Sequence, residues 1–137
     1  MSKLKRFSIS LDDNLVIKFD KEIRKRNYPT RSKAIGDLIR EYFVKKEWAE
    51  GTEVAGTITL VYNHNKRELV NKLTDIQHKF HDLIISSQHV HLDEDNCLEI
   101  VIVKGNPKEV EKLADKLKST KGVKHGSLTM ATTGKEI

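Results

Sequence analysis

Arg6-Phe7-Ser8-Ile9-Ser10-Leu11 alternates strictly between polar and apolar side chains. A strand through it sets Phe7, Ile9 and Leu11 on one face and Arg6, Ser8 and Ser10 on the other. The segments that follow are helical. Asp12 or Asp13 can cap a helix in which Leu15, Phe19 and Ile23 recur at helical spacing, and Asn27-Tyr28-Pro29 breaks it. Thr30 or Ser32 can cap a second helix, whose apolar stripe of Ala34, Ile35, Leu38, Ile39, Tyr42 and Phe43 runs on to about Trp48. A lone strand before two helices leaves backbone donors and acceptors unpaired along both of its edges. It needs a strand from another chain.

Two copies paired antiparallel make a ribbon, with Phe7 and Ile9 packed down on four helices and Arg6, Ser8 and Ser10 facing out. Such a ribbon fits the major groove of B-DNA, where an arginine can contact guanine through two hydrogen bonds and hydroxyls reach either base type. The helix start at Arg31-Ser32 presents free backbone N–H groups to a phosphate. Charge is distributed accordingly: residues 1–48 hold 13 Lys/Arg against 7 Asp/Glu, whereas residues 49–137 hold 12 against 13. Phosphate neutralisation suits the first segment. Over roughly residues 4–48 the pattern resembles the ribbon-helix-helix family of dimeric DNA-binding domains. The alternative reading of these residues is a strand-swapped dimerisation module with a solvated polar face.

The whole chain has 137 residues, 37% hydrophobic and 33% charged, which suits two small modules with modest cores. No run approaches the roughly 20 apolar residues of a spanning helix, and the first residues lack the apolar stretch of a secretory signal. The reading is a cytoplasmic protein with no membrane segment. A single cysteine, Cys97, cannot form an internal disulfide and is free to act as a ligand in a reducing compartment.

The second module reads as strand, helix, strand, strand, helix, strand. Residues 52–62 are β-branched and alternating, and residues 66–85 carry Leu69, Val70, Leu73, Ile76, Phe80, Leu83 and Ile84 at helical spacing. Gln88–Leu92, the turn-rich Asp93-Glu94-Asp95-Asn96 and Cys97–Val103 form a hairpin. Asn106-Pro107 opens a helix with Val110, Leu113, Ala114 and Leu117 inward, and Val123–Ala131 after Gly122 is the last strand. This βαββαβ order is the ferredoxin-like arrangement, one sheet with two helices on one face. The fold class is α+β, with residues 1–50 as the first domain and 51–137 as the second. A sheet covered on one side invites a partner on the other.

Chemistry concentrates in the hairpin. His89 and His91 are two apart and share a strand face; Cys97 starts the partner strand, and if the loop has an odd number of residues it sits directly across from His91 on that face. Glu99 follows on the same face, placed to accept from and orient an imidazole. His78 is an open fourth candidate: it lies on the helix side of the fold, 11 residues before His89, and only another subunit could bring it to such a site. One thiolate with three imidazoles suits tetrahedral Zn²⁺, or Cu²⁺ or Ni²⁺ in a square plane; ligand type alone does not choose among them.

The spacing H-x10-H-x-H-x5-C, with Cys-Leu-Glu-Ile at the cysteine and Lys121-Gly122-Val123-Lys124-His125-Gly126 further on, closely resembles the NikR family of nickel-responsive transcriptional repressors. The resemblance runs from Arg6 through Gly126 and joins a ribbon-helix-helix domain to an ACT-type regulatory domain. It implies one square-planar Ni²⁺ per subunit, held by His89, His91 and Cys97 of one chain and His78 of a neighbouring chain, with base contacts from Arg6, Ser8 and Ser10. It also implies a homotetramer, a dimer of dimers with the regulatory domains at its centre, on a pseudo-palindromic double-stranded operator. Family members commonly have Ser-Glu-Ala-Ile-Arg-Asp where this chain has Ser32-Lys33-Ala34-Ile35-Gly36-Asp37. In the family the Glu and Asp help form a secondary cation site, so Lys33 puts an ammonium where a carboxylate ligand stood, while Asp37 remains. Gly36 removes an arginine that could contact phosphate, and Ser8 and Ser10 lack the threonine methyl that could touch thymine.

A nickel-dependent repressor of nickel-uptake genes is the leading expectation. A cytosolic metal-storage or metal-delivery protein with a merely dimerising first module is a second, and an ACT-type sensor of a small molecule a third. The sequence has no nucleophile–base pairing, no Gly-rich phosphate loop and no paired carboxylates with an acid/base role, so an enzyme is not expected. His64 and His81 could belong to extra, weaker metal sites but read first as surface histidines of no special role, and His125 reads as structural.

Overall fold

Asp12 accepts a hydrogen bond from the Asn14 backbone N–H at 3.0 Å and thereby caps α1 (Asp13–Lys25), the first element of the computed structural model, which describes residues 3–137. Thr30, rather than Ser32, caps α2 (Arg31–Glu50): its Oγ1 accepts from the Lys33 N–H at 3.1 Å. Both hydroxyls were open to the sequence; the cap is the residue just outside the first turn, whose side chain reaches the orphan N–H groups. Contacts divide the chain into two units, Met1–Arg40 and Glu41–Ile137.

In the first unit, Ile23 and Ala34 are the buried side chains among the described residues. The strand expected over Arg6–Leu11 is not formed in the single chain. Residues 3–12 form no ladder, and Phe7, Ile9 and Leu11 are 71%, 53% and 52% exposed. The physical reason is the one the pattern posed: a strand is defined by hydrogen bonds to a neighbour, and one chain supplies none. Ile9, Leu11, Leu15, Phe19, Ile35 and Leu38 line an open apolar groove of about 390 Å³.

The second unit opens with the end of α2, where Val44 and Trp48 turn into the core and the Trp48 indole N–H donates to the Ala131 carbonyl at 2.9 Å. Gly56 lies beneath that ring. A Cβ there would stand 3.2 Å from Trp48 and 2.7 Å from the Thr129 carbonyl oxygen, so the approach of helix to sheet requires glycine. The elements then run β1 (Val54–Asn63), α3 (Arg67–Lys79), a 3₁₀ turn (His81–Leu83), β2 (Ile84–His91), β3 (Asn96–Gly105), α4 (Pro107–Lys118) and β4 (Val123–Met130). The sheet is antiparallel in the order β2-β3-β1-β4. This is the expected βαββαβ arrangement.

One boundary differs. The apolar spacing of 66–85 carried the expected helix too far: α3 ends at Lys79, and Ile84 already belongs to an edge strand that starts four residues before Gln88. Phe80, Leu83 and Ile84 pack against the core from a turn and a strand start rather than from a helix face. A short apolar run satisfies either period, and the sheet needed the length. Asn106 caps α4 as expected, accepting from the Lys108 and Glu109 N–H groups, with Pro107 at the first helical position.

Alternation along β3 sorts the sheet faces. Cys97, Glu99, Val101 and Val103 are buried on the side where Leu69, Leu73, Val110, Leu113 and Leu117 of the helices pack. Val90 and Ile102 stand on the opposite side, 45% and 40% exposed.

Candidate metal centre and nucleic-acid face

The β2–β3 ladder sets His91 opposite Cys97 and His89 opposite Glu99. All four therefore share the helix-side face at the end of the sheet nearest the turn Leu92–Asp95. The register is held by that turn: the Asp93 carboxylate accepts from the Asp95 and Asn96 N–H groups at 2.9 and 2.7 Å and from the Asn96 amide. These donors, the Asn96 backbone foremost, draw its pKa down to about 2.

The four residues sit in unlike surroundings. Cys97 is fully buried while His89 and His91 are exposed on the edge strand. Burial pushes the Cys97 thiol upward, the Tyr62 hydroxyl beside it acts in the opposite sense, and the Glu99 charge adds to the rise. The thiol is thus protonated at neutral pH, and a cation bound there displaces its proton. Glu99 is 4% exposed and well satisfied: one oxygen accepts from the Tyr62 hydroxyl at 2.6 Å and the other from the Gln77 amide at 3.0 Å. The His89 Nε2 stands 4.0 Å from the first of these oxygens. Burial, then the bond to Glu99, raises the Tyr62 pKa and keeps the phenol a donor.

His78 is exposed near the end of α3, and its carbonyl lies 3.0 Å from the His81 Nδ1. Its neighbour Gln77 reaches Glu99. Among the described residues, no three His, Cys, Asp or Glu side chains close on a common point within metal-binding reach. One chain taken alone does not assemble four ligands. The donor chemistry nevertheless suits a borderline-soft divalent ion, because a thiol and an imidazole are cross-strand neighbours with a buried carboxylate behind them.

Three residues near this face escaped the sequence reading. Tyr62 lies opposite Cys97 on β1, a pairing between strands more than 30 residues apart that no local pattern reveals. Gln77 carries no periodic signal. His64, taken as a surface histidine, stacks on His91 with ring centroids 3.9 Å apart and planes 2° from parallel.

In the first unit, Arg6, Ser8 and Ser10 are exposed along the extended segment. Ser32 is exposed in the first turn of α2. Arg31 does not project freely: its Nε and Nη2 donate to the two oxygens of Asp20 at 2.8 and 2.5 Å, which lowers the Asp20 pKa. Asp37 is engaged by the Lys33 ammonium at 2.7 Å and by Arg40 at 3.3 Å. The lysine that stands where the family commonly has Glu thus occupies the remaining carboxylate.

Comparison with known proteins accords with both units. The family described as NikR C terminal nickel binding domain matches residues 55–131, and the ribbon-helix-helix protein, copG family, matches residues 5–46. A protein of Syntrophus aciditrophicus, named as a candidate nickel-responsive regulator, is 58% identical over 98% of this chain and 98% of its own. A protein of Pyrococcus horikoshii given the same name is 54% identical over 98% of this chain and 99% of its own. An uncharacterized protein of Thermotoga maritima shares the fold alone, with a TM-score of 0.51 at 15% identity over 56% of this chain and 95% of that one. Among the described residues, no helix is long and apolar enough to cross a membrane. With a DNA-binding ribbon-helix-helix module and a nickel-binding module matched over nearly its full length, the chain belongs to the NikR family of nickel-responsive transcriptional regulators, which are not enzymes.

Proposed function

We propose that this chain is a cytoplasmic repressor of nickel-uptake genes, with residues 1–50 as its DNA-binding domain and 51–137 as its metal-binding and tetramerisation domain. The observation that carries the reading is the cross-strand pairing of His91 with Cys97 beside His89 and the buried Glu99. His89, His91 and Cys97, with His78 of the partner subunit, would hold one Ni²⁺ per subunit in a square plane. Bound there, the ion supplies a cross-link between subunits. The chain's own residues do the rest. Glu99, fixed by Tyr62 and Gln77, orients the His89 ring, and the exposed apolar residues of the first unit pair two copies into one ribbon.

A tetramer so arranged presents Arg6, Ser8 and Ser10 to base edges in two half-sites of a pseudo-palindromic operator. Ser32 and the start of α2 meet phosphate, and Arg31 joins them on leaving Asp20. Linkage makes the coupling reciprocal: whatever nickel adds to operator affinity, operator adds to nickel affinity.

The test is an absorption titration of the reduced, metal-free protein with Ni²⁺. A thiolate-to-nickel charge-transfer band and a square-planar d–d band, saturating at about one metal per chain and absent in Cys97→Ala, are expected. An octahedral spectrum that Cys97→Ala leaves unaltered would refute the ligand assignment. Cys97→Ala is further expected to lose nickel-dependent operator binding while keeping weak, salt-sensitive DNA binding.

A further inference from the structure

His64 is the residue that the ligand set leaves unused and the structure does not leave free. Its ring lies flat on that of His91, 3.9 Å between centroids and 2° from parallel. Its Nε2 is buried and, among the described residues, is the side-chain nitrogen or oxygen recorded as buried without a hydrogen-bond partner. A buried polar atom without a partner costs free energy, so the ring is held where it is by something other than that atom.

The backbone holds it. The His64 N–H donates to the Asp95 carbonyl at 2.9 Å, and the Asn65 side-chain amide donates to the Glu94 carbonyl at 3.1 Å and to the Asp95 carboxylate at 2.9 Å. The turn after β1 is thereby stitched to the turn between β2 and β3, the turn that sets His91 across from Cys97. His91 lies on an edge strand and is otherwise exposed, with His64 as its ring contact. Without a wall, an exposed imidazole samples several rotamers.

We propose that His64 is a positioning residue: its imidazole is the flat wall against which the His91 ring is held in the orientation that takes the metal. This rests on the reading of His91 as a nickel ligand. Coordination draws electron density from an imidazole, and an electron-poor ring gains from resting on a neutral π face. The stack is therefore stronger in the metal-bound state than in the metal-free state, which is the condition for it to contribute to affinity. The flat ring does this work, and the His64 nitrogens do not.

The experiment uses the full-length chain with His64→Ala and His64→Phe. In the metal-free protein, proton NMR of the His91 ring reports the stack, because a ring lying over it moves its resonances upfield. Nickel affinity is measured by competition with a chelator of known strength. His64→Ala is expected to move the His91 resonances downfield and to weaken nickel binding about 10–100-fold, the range for groups that orient a ligand. His64→Phe, which keeps a flat ring and drops both nitrogens, is expected to restore most of that loss. Unchanged nickel affinity in His64→Ala would overturn the proposal. So would a His64→Phe variant as weak as His64→Ala, which would assign the effect to a nitrogen. Nickel binding by the unsubstituted chain that Cys97→Ala leaves intact would instead overturn the ligand assignment beneath the proposal, and the two failures read differently.

Discussion

Residues 41–137 bury a core of their own, from Val44 and Trp48 through Ile58, Leu60, Val101 and Val110 to Leu117, whereas the described residues up to Arg40 bury only Ile23 and Ala34. Both stretches carry clear apolar periodicity. The difference lies in what each period faces. In the second unit, four strands and two helices close on one another within one chain. In the first, Phe7, Ile9, Leu11, Leu15 and Leu38 are left looking at solvent. A pattern that predicts burial therefore predicts a partner wherever the chain cannot supply the burying surface itself.

The comparison can be broken from either side. The largest effect belongs to the self-sufficient core: Leu113→Ala, at a position with 0% exposure, should cost about 2–5 kcal/mol in denaturant unfolding of the second unit. A cost well below that range would mean that Leu113 is not closed in by its own chain and would erase the distinction between the units. Next, Phe7→Ala should destabilise the first unit by about 1.5–3 kcal/mol per copy, with a midpoint that shifts with protein concentration and a parallel loss of DNA affinity. If its effect were concentration-independent, Phe7 would be burying itself within its own chain.

Smaller changes sharpen the contrast locally. Asn106→Ala removes the cap of α4, whose side chain bonds the Lys108 and Glu109 N–H groups, and should cost about 1 kcal/mol, read as a lowered unfolding midpoint of the second unit. The smallest concerns pH. Asp20 is lowered below its ordinary value of 3.8, chiefly by its hydrogen bonds to Arg31. A depressed carboxyl stabilises the folded state above its unfolded-state value and loses that contribution as pH falls below it. Acid titration of the first unit should therefore show a loss of stability as pH falls below 3.8, a loss that Asp20→Asn reduces by removing one of its depressed carboxyls.

How much was legible follows the range of the interactions. Strand alternation, the Asp12 and Asn106 caps and the odd spacing between His91 and Cys97 are local, and each reads from a few adjacent residues. The end of α3 was not legible, because Phe80, Leu83 and Ile84 fit a helical period as well as a strand start. Nor was the environment of Glu99: its acceptance from Tyr62 and Gln77 depends on β1 lying beside β3 and on α3 covering that end of the sheet. The Arg31–Asp20 pair joins α1 to α2 across 11 residues, with no repeat to announce it.

By itself, then, the amino-acid sequence determined the two modules, their element order, the charge division and where residues of metal-ligand type cluster, since period, cap and spacing are written in neighbouring residues. Tertiary structure alone decided that Cys97 is buried and its thiol raised, that Glu99 is spoken for by two donors, that Arg31 is held by a carboxylate and that His64 lies flat on His91. Burial and electrostatics depend on what surrounds a side chain from every direction, and most of those surroundings come from residues far away along the chain.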